Sequence, residues 1–194
     1  RYELRRTVWA TFDGIGKIFK KTLSDYNFKA EKITQKNNQP IFELFNSVKN
    51  KFYSENIDLY VKNDGTYQID FIFPDNLAII IPDKFLTLNK KEFSFFIGQY
   101  LDRLNSFEFL TLYYSNEEII NYIKAVINFV LEEDIFIDQQ ILDNKKLLNK
   151  GISSNSKRNL LNLKNIVSYT NWKEVDFEKY IQSTHITSIR TGLV

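Results

Sequence analysis

The stretch NKKEFSFFIGQYLDRLNS, residues 89–106, carries the period of a buried helix. Phe93, Phe96, Ile97, Tyr100, Leu101 and Leu104 recur at i, i+3, i+4, i+7, i+8 and i+11. That stripe is too broad for a helix wetted on most sides. Asn89 can accept hydrogen bonds from the first turn as N-cap, and Glu92 can reach back to complete a capping box. Gly98, mid-helix, costs about 1 kcal/mol of helix propensity relative to Ala. Close approach of another backbone would offset that cost.

Upstream of this helix the period changes. Ile57, Leu59 and Val61 alternate with Asp58, Tyr60 and Lys62, which predicts a strand with one apolar and one solvated face. Asn63-Asp64-Gly65-Thr66 predicts a hairpin turn, because Asp-Gly readily supplies φ > 0. Tyr67, Ile69, Phe71 and Phe73 continue as a second strand. After Pro74-Asp75-Asn76, residues Leu77 to Ile81 form a continuous apolar run, the pattern of a strand covered on both faces, and Pro82 ends it. The expectation is a meander of three strands.

Further upstream, Ile41, Leu44, Phe45, Val48 and Phe52 share one helical face. Residues 29–40 are polar, end in Asn-Asn-Gln-Pro, and predict a loop or linker. Residues 5–24 place Val8, Phe12, Ile15, Phe19 and Leu23 at helical spacing, although Gly14 and Gly16 weaken that helix.

Downstream the pattern is helical. Ser115 and Glu118 form a second capping box, opening a helix to about Leu131. Residues 132–152 are acidic and then lysine-rich, broken at Gly151. Ser154 to Tyr169 carries Leu160, Leu161, Leu163, Ile166 and Val167. Asn171 to Glu174 predicts a third cap and a helix running towards the C-terminus. The fold class is α+β: a small three-stranded meander packed against a buried helix, followed by a mostly helical C-terminal half. The expected organisation is an N-terminal helix and linker over 1–40 and one domain over 41–194.

Composition narrows function. Hydrophobic residues make up 43% of the 194 residues and aromatics 15%, enough for a packed core rich in rings. Lys+Arg number 26 against Asp+Glu 24, a near balance that gives no electrostatic case for nucleic acid. Lys51-Phe52-Tyr53 and Tyr60-Val61-Lys62 interleave rings with cations as base-stacking surfaces do, but core packing explains the rings. Without cysteine there is no disulfide, thiolate catalysis or Cys-ligated zinc. No apolar run approaches the ~20 residues that span a bilayer. The chain starts at Arg1 without Met, which reads as a piece of a longer protein.

The order of strand meander, apolar strand, Pro, short loop and buried helix resembles the gluzincin metallopeptidases, and most of all their minimal, HtpX-like domains. That family carries a pattern close to E-L-x-x-V-L-A-H-E-x-x-H, and Glu92 to Gly98 followed by Gln99 to Arg103 is similar to it. Gln99 and Arg103 stand where the two zinc-binding histidines would be, and Tyr100 where the general-base glutamate would be. The family's third ligand is a glutamate in a pattern like E-A-D-R-x-G. Thr187-Ser188-Ile189-Arg190-Thr191-Gly192 resembles that segment, with Thr187 at the glutamate's place and Ile189 at the aspartate's. The framework residues Gly98, Arg190 and Gly192 remain.

The resemblance spans roughly residues 41–194. It implies a catalytically inactive, zinc-free domain with no cofactor, of the kind that follows tetratricopeptide repeats in bacterial proteins. The implied role is a protein-interaction or scaffolding module in a larger bacterial assembly, with a protein partner; the lack of a long apolar run adds no direct membrane insertion within this segment. A pseudo-active-site cleft lined by Gln99, Tyr100, Arg103 and Thr187 would hold a peptide by strand addition. Such a module, with the AT-rich codon bias that the Lys, Asn and Ile content suggests, would suit a periplasmic assembly of a spirochaete-type bacterium, while the Cys-free composition fits a cytoplasmic location as well.

The residues leave alternatives open. A structural domain with a filled-in cleft is one, and a carboxylate-based hydrolase is another. Asp58 and Asp70 are candidate carboxylates for the latter, but they alternate with apolar residues and read as a solvated face. The only histidine, His185, has Ile181, Gln182, Ser188 and Ile189 at helical spacing, so no local metal partner is in place. Gly14-Ile15-Gly16 lacks the preceding strand and third glycine of a phosphate loop. Arg103 is either a residue of the former metal centre or an ordinary cation at a helix C-terminus, favoured there by the helix dipole.

Overall fold

The computed structural model describes residues 22–52, 56–73, 77–106, 108–152 and 154–183. The predicted helix over 5–24 lies outside these residues except for Thr22–Ser24, and so do His185, Thr187, Ile189, Arg190 and Gly192. The described chain forms two compact units, residues 22–105 and residues 106–183.

The first unit is built on a four-stranded mixed sheet. Its strands are β1 (Ala30–Lys32), β2 (Asp58–Lys62), β3 (Asp70–Ile72) and β4 (Ala78–Pro82), in the order β1-β2-β4-β3. β4 runs parallel to β2 with Asp58 opposite Ala78, and antiparallel to β3 with Phe71 opposite Ile79. Every residue of β4 is buried, as its unbroken apolar run requires in a strand flanked by a parallel neighbour and covered on both faces.

The expected meander is therefore corrected in two ways. β2 and β3 do not pair as a hairpin, because β4 lies between them. Gly65 does adopt φ +75°, so the Asp-Gly turn forms, but residues 63–69 carry the chain across to the far edge of the sheet. The second correction is β1. Residues 29–40, expected to be loop or linker, supply this strand, which pairs antiparallel with β2. The expected boundary at residue 40 thus has β1 on one side and its partner strand on the other. Its polar sequence fits an edge strand, where one side is open to water.

Side-chain alternation sorts the sheet into two faces. Tyr60 lies opposite Ile80 and Ile80 opposite Asp70, so these share a face with Lys62, Ala78 and Ile72. Leu23, Tyr26, Phe28 and Ala30 pack against Ile72, Ala78 and Ile80 and cover that face.

Helix α1 (Gln39–Phe52) buries Phe45 and Val48, two of the residues its apolar spacing selected. Helix α2 (Lys90–Ser106) is the helix expected from residue 89. Asn89 Oδ1 accepts from the Lys91 and Glu92 amides at 3.0 Å each, and the Asn89 amide donates to Glu92 at 3.1 Å. That is the capping box. Phe93, Ile97, Leu101 and Leu104 are buried, and so is Gly98. Phe96 meets Phe85 edge-on at 5.3 Å, tying the helix to the 3-10 turn Asp83–Thr87 that follows β4.

The second unit is helical. Helix α3 (Asn116–Leu131) starts on the predicted Ser115 box: the Ser115 hydroxyl accepts from the Glu118 amide, and Glu118 accepts from the Ser115 amide at 2.8 Å. It is apolar on nearly all sides and forms the core of this unit. The chain leaves it through Glu132 at φ +59°, an αL residue ending the helix without glycine.

Helix α4 (Gln139–Gly151) occupies the lysine-rich part of the stretch 132–152 and ends at Gly151, where the sequence expected a break. Its core positions, Ile141, Asn144 and Leu148, are too sparse among Lys and Asn for a clear period. Ser154 to Tyr169, expected as one helix, is α5 (Ser154–Leu161) and α6 (Lys164–Ser168) with a turn between them. The third cap is also displaced. Asn171 opens only a short 3-10 turn, Trp172–Glu174. Asp176 caps the helical residues 177–183, its side chain accepting from the Lys179 amide at 2.9 Å.

Candidate functional site

Helix α2 brings Gln99, Tyr100 and Arg103 together, at i, i+1 and i+4, and all three are half-buried. The Tyr100 ring meets Phe71 of β3 at 6.1 Å, which anchors this part of α2 to the sheet. The Arg103 guanidinium lies over the Tyr100 ring at 5.4 Å, within range of a cation–π contact. Burial pushes the Tyr100 phenol above its ordinary range, and the Arg103 charge pulls it part of the way back. Tyr100 is therefore a neutral hydrogen-bonding group at physiological pH.

These residues do not fit a zinc site. Amide and hydroxyl oxygens are poor zinc ligands, and a guanidinium cannot lose its proton in a protein. Among the described residues no group of three or more His, Cys, Asp or Glu could hold a metal ion. Thr187, expected in the same cleft, and the framework residues Arg190 and Gly192 lie outside the described residues.

A second constellation was missed by the sequence reading. Lys62 is only 2% exposed, at the end of β2. Its ammonium is 2.8 Å from Asp64 and 2.7 Å from Asp70, and sits 4.5 Å from the Phe28 ring centroid. Asp70 is 4% exposed, and Gln68 donates to its other oxygen at 3.3 Å. The expectation that Asp70 lies on a solvated face is thus corrected. The alternation was sound, but residues 23–30 cover the polar face, and nothing in the local pattern of β2 announces that lid.

The cluster has a clear structural job. Lys62 extends across β4 to join both ends of the 63–69 crossing, holding Asp64 in the turn and Asp70 at the start of β3. Partial burial pushes the Asp64 carboxyl up. The hydrogen bonds from Lys62 and from the Thr66 amide and hydroxyl outweigh it and hold the group at about 2. Asp58, the other carboxylate considered for hydrolysis, is part-exposed and bonds Lys32 at 2.5 Å. Asp58 and Asp70 each face a lysine rather than each other, so they do not form a carboxylate pair.

In the helical unit the polar core is equally occupied. Asn128, 0% exposed, donates to the Phe136 carbonyl at 2.7 Å and accepts from the Phe136 amide at 3.1 Å. This clamp fixes the loop after α3. Trp172 donates to the Val167 carbonyl at 2.6 Å and stacks near Phe177 at 6.4 Å.

No protein-family model, curated protein or solved structure matches this chain. Among the described residues no helix is long and apolar enough to cross a membrane.

Proposed function

We propose that this domain is a catalytically inactive, zinc-free, peptidase-like module that binds a protein partner or scaffolds a larger bacterial assembly. The observation that carries the reading is the Tyr100–Arg103 pair. It lies half-buried on the capped helix that follows a fully apolar strand and Pro82, and the sequence resemblance sets these two positions against a gluzincin's catalytic residues. A guanidinium held over a ring at a half-buried position is a group that can recognise a carboxylate of a partner by bidentate hydrogen bonding.

The alternative is a purely structural domain with its cleft filled in. The way the Arg103 head lies back over Tyr100 favours that second reading, since a side chain engaged with its own helix is less available to a partner.

Two measurements separate the readings. Elemental analysis of the purified domain is expected to find no stoichiometric zinc, and one tightly held zinc per chain would overturn the proposal. Partner retention from the native host is then compared for the wild type and Arg103→Glu at matched stability. Loss of one specific partner supports the interaction module, and unchanged retention supports the structural domain.

A further inference from the structure

A cleft of about 370 Å³ opens in the first unit between α1 and the strands β1 and β2, well away in sequence from the Gln99–Arg103 face. Its volume is in the range that takes small molecules. Phe42, Phe45 and Ile57 give it an apolar wall. The charges around it are two lysines and one carboxylate: Lys32, Lys49 and Asp58. Lys32 and Asp58 are 2.5 Å apart and neutralise each other. The Asp58 bond is also the main reason the Lys32 ammonium is held above its ordinary range.

Lys49 is different. Its ammonium lies 6.0 Å from the Phe45 ring centroid, over the cleft's own wall. Among the described residues it makes no ion pair. The cleft therefore sets one positive charge without an ion-pair partner on a wall whose rings are the half-buried Phe42 and the nearly covered Phe45. A cationic ligand would meet repulsion there. An uncharged apolar one would leave the ammonium unmatched.

We propose that this cleft binds a small amphipathic carboxylate, with the carboxylate on Lys49 and an apolar body against Phe42, Phe45 and Ile57. The inference stands apart from the proposed function, because it uses none of the α2 residues. The neutral Lys32–Asp58 pair closes the β-strand side, so selectivity between anion and cation falls on Lys49 alone.

Phenylacetate is the probe, followed by amide chemical shifts on the isotopically labelled protein. Saturable shifts are expected at Phe42, Phe45, Lys49 and Ile57. Affinity should fall roughly tenfold or more for uncharged 2-phenylethanol, the scale of one lost charge-assisted hydrogen bond. Lys49→Gln should weaken phenylacetate to the same degree while leaving 2-phenylethanol unchanged. Acetate, which lacks the apolar body, should give no saturable shift. Lack of saturation by phenylacetate, equal affinity for 2-phenylethanol, or insensitivity to Lys49→Gln would each overturn the proposal. The uncharged analogue tests charge recognition on the wild-type protein, so the result does not depend on how the variant folds.

Discussion

Replacing Lys62 with Met removes an ammonium and keeps an apolar chain of similar length against Phe28. The methionine sulfur is itself a fair neighbour for a ring, so little packing is lost. What is lost is the partner of two carboxylates. Asp64 sits in an exposed turn and can rehydrate. Asp70 cannot: it is 4% exposed, and its remaining donor is the Gln68 amide at 3.3 Å. Breaking a buried ion pair from one side leaves an uncompensated charge, at a cost of about 3–5 kcal/mol. Against a total domain stability of about 5–15 kcal/mol, that is a large fraction. With urea slopes of about 1–3 kcal/mol per molar, the midpoint of the sheet unit should drop by roughly 1–5 M.

The second arm identifies where the penalty sits. Asp70→Asn in the Lys62→Met background removes the stranded charge and keeps a group that Gln68 can still bond. It should recover most of the loss, with a coupling of about 2 kcal/mol or more across the double-mutant cycle. Urea denaturation followed by circular dichroism reads both arms. A Lys62→Met cost below about 1 kcal/mol would mean that the site is wet and the buried cluster wrongly placed. A double variant no better than the single would refute Asp70 as the partner left stranded.

Three further expectations follow from individual contacts. Asp64 is depressed to about 2 from the ordinary 3.8, so its contribution to stability is fully present above about pH 4 and is lost as pH falls towards 2; in a pH series of unfolding midpoints, Asp64→Asn should flatten that part of the profile. Asn128→Leu keeps the volume but strands both Phe136 main-chain groups, and should cost about 2–4 kcal/mol in thermal or urea unfolding, while a neutral result would show water reaching the loop. Gly98 is buried in α2, so Gly98→Leu should cost about 1–3 kcal/mol by overpacking, and an unchanged or raised urea midpoint would show room at that position.

Much of the local structure was legible because local physics decides it. The Asn89–Glu92 and Ser115–Glu118 boxes were read from side chains three residues apart, and both form with the expected bonds. The run Leu77–Ile81 announced a strand covered twice, and β4 is buried throughout. What could not be read was pairing. Alternation says which residues share a face, but it does not say which strands are neighbours or whether the polar face stays wet. The insertion of β4 between β2 and β3, and the lid of residues 23–30, are long-range facts. Those two facts bury Lys62 and Asp70. Asp176 was overlooked as a cap because Asn171 offered an equally good local signal five residues earlier. Of the candidate cleft residues, Tyr100 and Arg103 are in contact, as residues three apart on a helix are expected to be.

The sheet edges bear on how a partner could be held. Strand addition needs an edge whose main-chain groups are open to an incoming chain. Among the described residues, each edge strand has a carbonyl already taken. Tyr26 donates its hydroxyl to Phe71 of β3 at 2.7 Å, and Asn37 donates its amide to Lys32 of β1 at 2.8 Å. On β1, Ile33 donates to Leu59, so by antiparallel alternation the Lys32 main-chain groups point outward, and Asn37 occupies one of them. Both edge strands are also only three residues long. Short, side-chain-blocked edges are a usual defence against unwanted strand pairing. A partner recognised through main-chain pairing would first have to displace Tyr26 or Asn37. Extension of this sheet by a bound peptide is thus opposed by side chains already seated on its edges.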